Sequence, residues 1–387
     1  MIDYKNIDFT IYQVGGSCCD KYIYESDKQM YIKEIKKEIS GVDNGFKKLF
    51  YEIEHMKKNN EIYEKLYPKI YHINDDKDKY SVAMEYCFDG ITLADLLRNN
   101  IIEQDYTNNS IKYVLDTLFD TVYQDNSKSP NKNYIIDNYT GRIKNRLNSL
   151  KDIGIVKVYG FSNKLYKMME LGFVLNDEFY PPIFDYINFI EKDNSLLNKL
   201  QILNTTDSHH DLIPGNILVK IDENYKSRIT DFKLIDPRGV GETGSDNRHY
   251  TYDIGKLLLG ADTLDIFRIF NGKCADKLYQ YECVENNRMV DEYKLEFDIN
   301  SPIVKKYDNT TEFIWEYLMS HPRLNEYDIL RFLFSQACMY HPDVPCRIID
   351  EKDEEIAICM YLRGSMMLRK FMDYVYGSDP FKERFII

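Results

Sequence analysis

Ser208-His209-His210-Asp211-Leu212-Ile213-Pro214-Gly215-Asn216-Ile217-Leu218-Val219 is the stretch whose reading decides the fold. It is a His-x-Asp pattern with an asparagine five positions after the aspartate, and it runs directly into an apolar strand. An aspartate and an asparagine on one short loop can aim at a nucleophile and a metal ion together. The strand behind them fixes the loop. Such a pair suits phosphoryl transfer, which asks little covalent work of the protein. It needs a carboxylate to orient and deprotonate a hydroxyl, and hard oxygens to hold Mg2+ against phosphates. The bland alternative is a structural turn in which Asp211 caps backbone amides.

A second motif, Leu234-Ile235-Asp236-Pro237-Arg238-Gly239, puts another carboxylate at the end of a second apolar strand. Asn216 to Ile221 and Arg228 to Ile235 are expected to pair as a hairpin of buried strands. Thr230-Asp231-Phe232-Lys233 offers a competing metal carboxylate nearer to Asn216. Phe232, Leu234 and Ile235 continue the apolar run past Asp231, however, while Pro237 and Gly239 stop it. Asp236 is therefore the preferred ligand and Asp231 an exposed strand residue.

Asp-Leu-x-Pro-Gly-Asn-Ile-Leu followed by Ile-Asp-Pro-Arg-Gly resembles the aminoglycoside phosphotransferase and choline kinase group, relatives of the protein kinases. The branch it looks most like is that of phosphotransferases linked to surface-polysaccharide biosynthesis. The resemblance implies an α+β, protein-kinase-like fold of two lobes. Residues 1–88 would form a nucleotide-binding lobe with a small antiparallel sheet, and 89–387 a mainly helical catalytic and substrate lobe. It implies Asp211 as catalytic base, His209 as a brace for the loop, and Asn216 and Asp236 as Mg2+ ligands. The implied activity is transfer of the γ-phosphoryl group of ATP or GTP to a hydroxyl of a sugar, amino alcohol or aminoglycoside-like small molecule. A nucleotide-binding pseudokinase and a regulatory protein kinase are the rival readings. Two positions depart from the pattern: His210 stands where these families usually have glycine, and Ile213 replaces a frequent histidine.

Working outward, the amino-terminal part supplies matching partners. Phe9 to Val14, Lys21 to Glu25, Gln29 to Ile35, Ile70 to Ile73 and Tyr80 to Tyr86 read as strands. Gly15-Gly16-Ser17 lies between the first two, where backbone amides can cover phosphates, although such a turn is more often only a turn. Lys33 sits in the apolar strand Met-Tyr-Ile-Lys, where a lysine is costly unless paired. Asp43 to Lys58 is expected to be helical, with Phe46, Leu49, Phe50, Ile53 and Met56 on one stripe. Glu52 shares that stripe and is preferred to Glu54 as the partner of Lys33, which by the resemblance contacts the α- and β-phosphates. Met84, Glu85, Tyr86 and Cys87 would form the linker whose backbone meets the base, by position only.

Beyond the linker, Thr92 caps a helix from Leu93 to Arg98, and Ser110 to Tyr123 is a second one. A mixed, mostly helical segment follows from about 135 to 205. Tyr139-Thr140-Gly141-Arg142-Ile143-Lys144-Asn145-Arg146 carries three cations, expected to be a solvated face. From Tyr252 the chain is expected to be helical to its end. Tyr252-Asp253-Ile254-Gly255-Lys256-Leu257 resembles a segment after the metal aspartate in that branch, and Asp253 is expected to anchor the metal loop or cap a helix. In Tyr340-His341-Pro342-Asp343 the histidine is expected to be structural.

The 387 residues are 44% hydrophobic, enough for a substantial core. With 50 basic and 63 acidic residues the net charge is −13, which disfavours a nucleic-acid surface and is mildly compatible with a cationic or polyhydroxyl substrate. The eight cysteines form no Cys-x-x-Cys pair, and no apolar run suits a membrane span. A reduced cytoplasmic setting without membrane insertion is the expectation.

Overall fold

The computed structural model describes residues 10–11, 20–24, 30–37, 45–63, 65–100, 102–125, 128–153, 161–222, 226–238, 248–270, 278–285, 290–378 and 380. Gly15, Gly16 and Ser17 lie outside the described residues. Strands β1 (Thr10–Ile11), β2 (Asp20–Tyr24), β3 (Met30–Lys36), β4 (Ile70–Asp75) and β5 (Lys79–Glu85) form an antiparallel sheet in the order β1-β2-β3-β5-β4. β3 pairs with β5 along its whole length, with Lys33 opposite Val82. Helix α1 (Gly45–Ile62) lies between β3 and β4 in the chain and buries Leu49, Ile53 and Met56, the stripe its 3.6-residue spacing predicts. Glu52 and His55 go inside with them, and a buried polar group must find a partner.

The remainder is a larger helical body: α2 (Leu93–Arg98), α3 (Gln104–Thr121), α4 (Gly141–Ile153), α5 (Lys164–Leu171), α6 (Ile183–Lys192), α7 (Asn194–Leu200), α8 (Tyr250–Leu259), α9 (Asp265–Ile269), α10 (Pro302–Ser320), α11 (Glu326–Met339), α12 (Val344–Ile349) and α13 (Glu354–Tyr376). This is the α+β, two-part architecture that the resemblance implies. Thr92 and Asp95 make a reciprocal capping box at the start of α2. One hydrophobic cluster runs from Ile35, Ile53 and Val82 of the first sheet and α1 through Leu115 to Ile217, Leu234 and Leu258, so the sheet and the helical body share a core. Among the described residues no helix is long and apolar enough to cross a membrane.

The expectation of unbroken helix after Tyr252 is corrected. β10 (Tyr279–Val284) and β11 (Glu292–Phe297) are antiparallel partners, and β11 continues in parallel onto β6 (Phe173–Leu175), which pairs with β7 (Glu178–Tyr180). Tyr279, Tyr281 and Cys283 alternate with Gln280, Glu282 and Val284, a strand period that no helix can bury on one face. The β6–β7 turn is Asn176-Asp177 with φ of 48° and 67°, the left-handed pair that a two-residue hairpin requires.

Two features seat the site. A 3₁₀ turn, Pro214–Asn216, leads into β8 (Ile217–Lys220), which pairs antiparallel with β9 (Asp231–Leu234). α8 is buried along its length and packs on α11. Gly255 permits that contact, because a Cβ there would lie 2.1 Å from Ser335 Oγ.

Candidate active site

Asp211 and Asp236 leave adjacent segments. Ile235 N–H donates to the Asn216 carbonyl at 3.0 Å, joining the end of β9 to the turn before β8. The His209 ring crosses the same gap, with Nε2 2.9 Å from the Ile235 carbonyl, while Asp211 N–H donates to His209 Nδ1 at 3.3 Å. Those two bonds fix the tautomer: Nε2 carries the proton. Burial pushes the His209 pKa down to about 4, so the ring is neutral. The Arg238 N–H then donates to the His209 carbonyl at 3.0 Å, closing the ladder.

Asp253, in the first turn of α8, accepts from the backbone N–H of His209 at 2.7 Å and of His210 at 2.6 Å, and from Tyr123 Oη at 3.1 Å. It therefore anchors the Asp211 loop itself, where the sequence suggested the metal loop or a helix cap. Burial raises its carboxyl to about 7 against those three donors. His210 has φ of 63°, the left-handed region in which glycine is favoured, and so carries backbone strain. Its ring stacks on Tyr252 at 4.5 Å. Asp236 is also left-handed, at φ 56°.

The Asp211 carboxylate caps no described amide. Its Oδ2 lies 3.2 Å from Arg238 Nε and Nη2, and its Oδ1 lies 3.5 Å from Lys256 Nζ, which in turn is 3.3 Å from Asp343 Oδ2. Burial alone would raise the Asp211 pKa; Arg238 and Lys256 more than offset it and hold the group well below the usual carboxylate range. Asn216 donates from Nδ2 to the Asp211 carbonyl at 2.9 Å, and among the described residues its Oδ1 accepts no hydrogen bond.

Lys33 reaches across from β3. Its Nζ lies 2.6 Å from Glu52 Oε1 and also contacts Asp236 Oδ1. Burial would lower the ammonium pKa, but Asp236 and Glu52 hold it above its ordinary value, so it stays charged. Glu54 is instead exposed and bonds Lys57. Asp231 opens β9 at the exposed end remote from Asn216, paired with Lys220. Of the proposed linker, Glu85 ends β5, gives its N–H to the Lys69 carbonyl and accepts the Lys69 N–H at 3.1 Å. Tyr86 and the buried Cys87 follow, before the left-handed residues Phe88, Asp89 and Gly90.

Several participants were not singled out from sequence. Arg238 and Lys256 stand inside motifs already quoted, yet no role followed from their positions. His55 on α1 accepts at Nδ1 from Arg248 Nη1 at 3.3 Å; the same guanidinium donates to the carbonyls of Ser208 and Arg238. α1 thus carries both the partner of Lys33 and a tie to the Asp211 loop. The solvated face expected at 142–146 is also corrected. Arg142 is half-buried with its guanidinium 5.6 Å from the ring centre of Tyr252, and Lys144 pairs with Glu191. His341 is fully buried beside Gly364 and Ser365. Among the described residues no group of three or more His, Cys, Asp and Glu could hold a metal ion.

No family model matches the chain, and no curated protein matches it. Among solved structures it is similar to the "Putative fructosamine-3-kinase" from Haemophilus somnus 129PT, at 11% identity and a TM-score of 0.42, over 94% of this chain and 92% of that one. It is also similar to an aminoglycoside-3'-phosphotransferase of type VIII, at 9% identity and a TM-score of 0.41, over 86% of this chain and 93% of that one.

Proposed function

We propose that the chain is a small-molecule kinase that transfers the γ-phosphoryl group of ATP or GTP to an acceptor hydroxyl. The observation that carries this reading is the meeting of Lys33, Glu52 and Asp236 beside a loop bearing Asp211 and Asn216. A lysine held by a helix glutamate, a free amide oxygen and two carboxylates of depressed pKa form the constellation that phosphoryl transfer uses. On this reading residues 1–88 are the nucleotide lobe and 89–387 the acceptor lobe, with the nucleotide between them.

Asn216 Oδ1 and the Asp236 carboxylate are hard oxygens at neighbouring strand ends, and they fit a magnesium ion. When bound, Mg2+ would neutralise charge on the β- and γ-phosphates. Lys33 orients the nucleotide through its phosphates, with Glu52 keeping the ammonium in place. Asp211, ionised throughout the neutral range, accepts a hydrogen bond from the acceptor hydroxyl. As the hydroxyl oxygen bonds to the γ-phosphorus and the bridging P–O bond breaks, the proton passes to Asp211 and the nucleoside diphosphate leaves. So weak a base takes the proton late, once the attacking oxygen has become acidic. Arg238 and Lys256 aim the two carboxylate oxygens.

Asp211→Asn tests the assignment. Transfer of phosphate across a panel of hydroxyl acceptors, followed by 31P NMR, should fall by at least about 10²-fold. Calorimetric affinity for the magnesium nucleotide should stay within a few-fold of wild type. Equal turnover in the two proteins would reject the role.

A further inference from the structure

On the side of the helical body Asp211 stands among the cations Arg238, Lys256 and Arg142. α4 packs against the turn His341–Asp343 and against α12. Arg142 and Arg146 stand one helical turn apart on α4. Asp211 and Asp343 are both engaged by Lys256, and Asp211 by Arg238 as well. Asp343, Arg146, Arg238 and Asp211 all lie within range of the Arg142 charge.

Among the described residues the Arg142 guanidinium makes no hydrogen bond or ion pair, and it lies 5.6 Å from the ring centre of Tyr252. Tyr252 rests in turn on His210, the neighbour of the base. Burial disfavours the charge of Arg142, so holding it there without a hydrogen-bonded partner among the described residues costs stability. A guanidinium offers five N–H groups in a planar fork that matches a carboxylate or phosphate with two parallel bonds. The cation–π contact with Tyr252 holds that guanidinium 5.6 Å from the ring centre.

We propose that the acceptor carries an oxyanion, phosphate or carboxylate, which the Arg142 fork binds while a hydroxyl of the same molecule faces Asp211. This rests on the phosphotransferase reading above and narrows it. On this reading the Arg142 charge disfavours cationic aminoglycosides and amino alcohols as acceptors.

Calorimetry of the full chain saturated with AMP-PNP and Mg2+ tests this, using ribose 5-phosphate, gluconate, ribose and glucose as probes. The phosphate and carboxylate arms show which oxyanion is preferred. At least one anionic probe should bind ten or more times tighter than its neutral counterpart. Arg142→Gln should abolish that preference, and Arg142→Lys should restore part of it, since it returns the charge without the fork. Equal binding of anionic and neutral probes by wild type, or an unchanged preference in Arg142→Gln, overturns the proposal. So does a complete lack of anion binding. The titrations are repeated without nucleotide. If AMP-PNP fails to bind, the kinase reading falls, while the anion preference still reports on Arg142 alone.

Discussion

Asp253 Oδ2 accepts the backbone N–H of His209 at 2.7 Å, and its second oxygen accepts that of His210 at 2.6 Å. One carboxylate thus fixes two consecutive amides immediately before Asp211, from a helix 40 residues further along the chain. Asn at this position retains one acceptor oxygen and leaves one buried N–H facing a donor. Asp253→Asn should therefore cost about 1–3 kcal/mol in urea denaturation. Amide exchange at His209 and His210 should accelerate, and turnover should fall with it. Unchanged exchange at both amides would show that the loop is held by something else.

Lys33 is bound by two carboxylates at once, Glu52 from α1 and Asp236 from the end of β9. Removing the ammonium leaves the buried Glu52 and the half-buried Asp236 without their shared cation, while removing Glu52 still leaves Asp236 to hold it. Lys33→Met should weaken magnesium-nucleotide binding by about 10–100-fold, the worth of one or two charge-assisted bonds. The stability effects of Lys33→Met and Glu52→Gln should fail to add, with a coupling of about 0.5–3 kcal/mol. Additive effects in a double-mutant cycle would mean that the 2.6 Å contact contributes nothing.

How much of this was legible depends on how local each signal is. Glu52 could be separated from Glu54 because it shares a helical stripe with Leu49, Ile53 and Met56, and the burial of that stripe carries it inward. Asp236 could be separated from Asp231 because apolar residues continue between them. The Arg142–Tyr252 contact joins residues 110 apart on different helices, and nothing in the spacing of α4 says what packs over it. His55 and Arg248 are likewise brought together only by the tertiary fold. The strands β10 and β11 are different: the alternation was present in Tyr279-Gln-Tyr-Glu-Cys-Val and Glu292-Tyr-Lys-Leu-Glu-Phe, and was outweighed by the helical patterns around it. Their continuation onto β6 was not legible, since that parallel pairing spans more than a hundred residues.

His210 occupies a left-handed backbone position at φ 63°. An ordinary side chain there costs about 1–2 kcal/mol, which glycine escapes. The imidazole recovers part of this by stacking on Tyr252, an interaction worth about 0.5–1.5 kcal/mol. His210→Gly should consequently fold with a stability within about 1 kcal/mol of wild type, whereas His210→Ala keeps the strain and loses the stack. Glycine should prove the more stable of the two substitutions by about 1 kcal/mol, the reverse of their usual order. Alanine ranking above glycine in chemical denaturation would contradict the strain argument.

Five of the seven histidines, His55, His209, His210, His249 and His341, are buried and held below their ordinary pKa chiefly by that burial. His209 falls to about 4, and His249 and His341 to about 3. In the unfolded chain each takes a proton near pH 6.5; in the folded protein each does so only well below that. Stability is therefore full above pH 6.5 and falls as the pH drops through the window toward 4. His209 alone contributes about 3 kcal/mol over that span. Asp253 and Glu52 work in the opposite sense: their carboxyls, raised by burial and that of Asp253 to about 7, are protonated in the folded protein before the unfolded one and offset two histidines. Three remain, against a margin for a whole domain of about 5–15 kcal/mol. Urea denaturation at pH 7.5, 6.0 and 5.0 should show a steep decline and acid unfolding before pH 4. A flat profile between pH 7 and 4.5 would mean that these imidazoles are not buried in the neutral form.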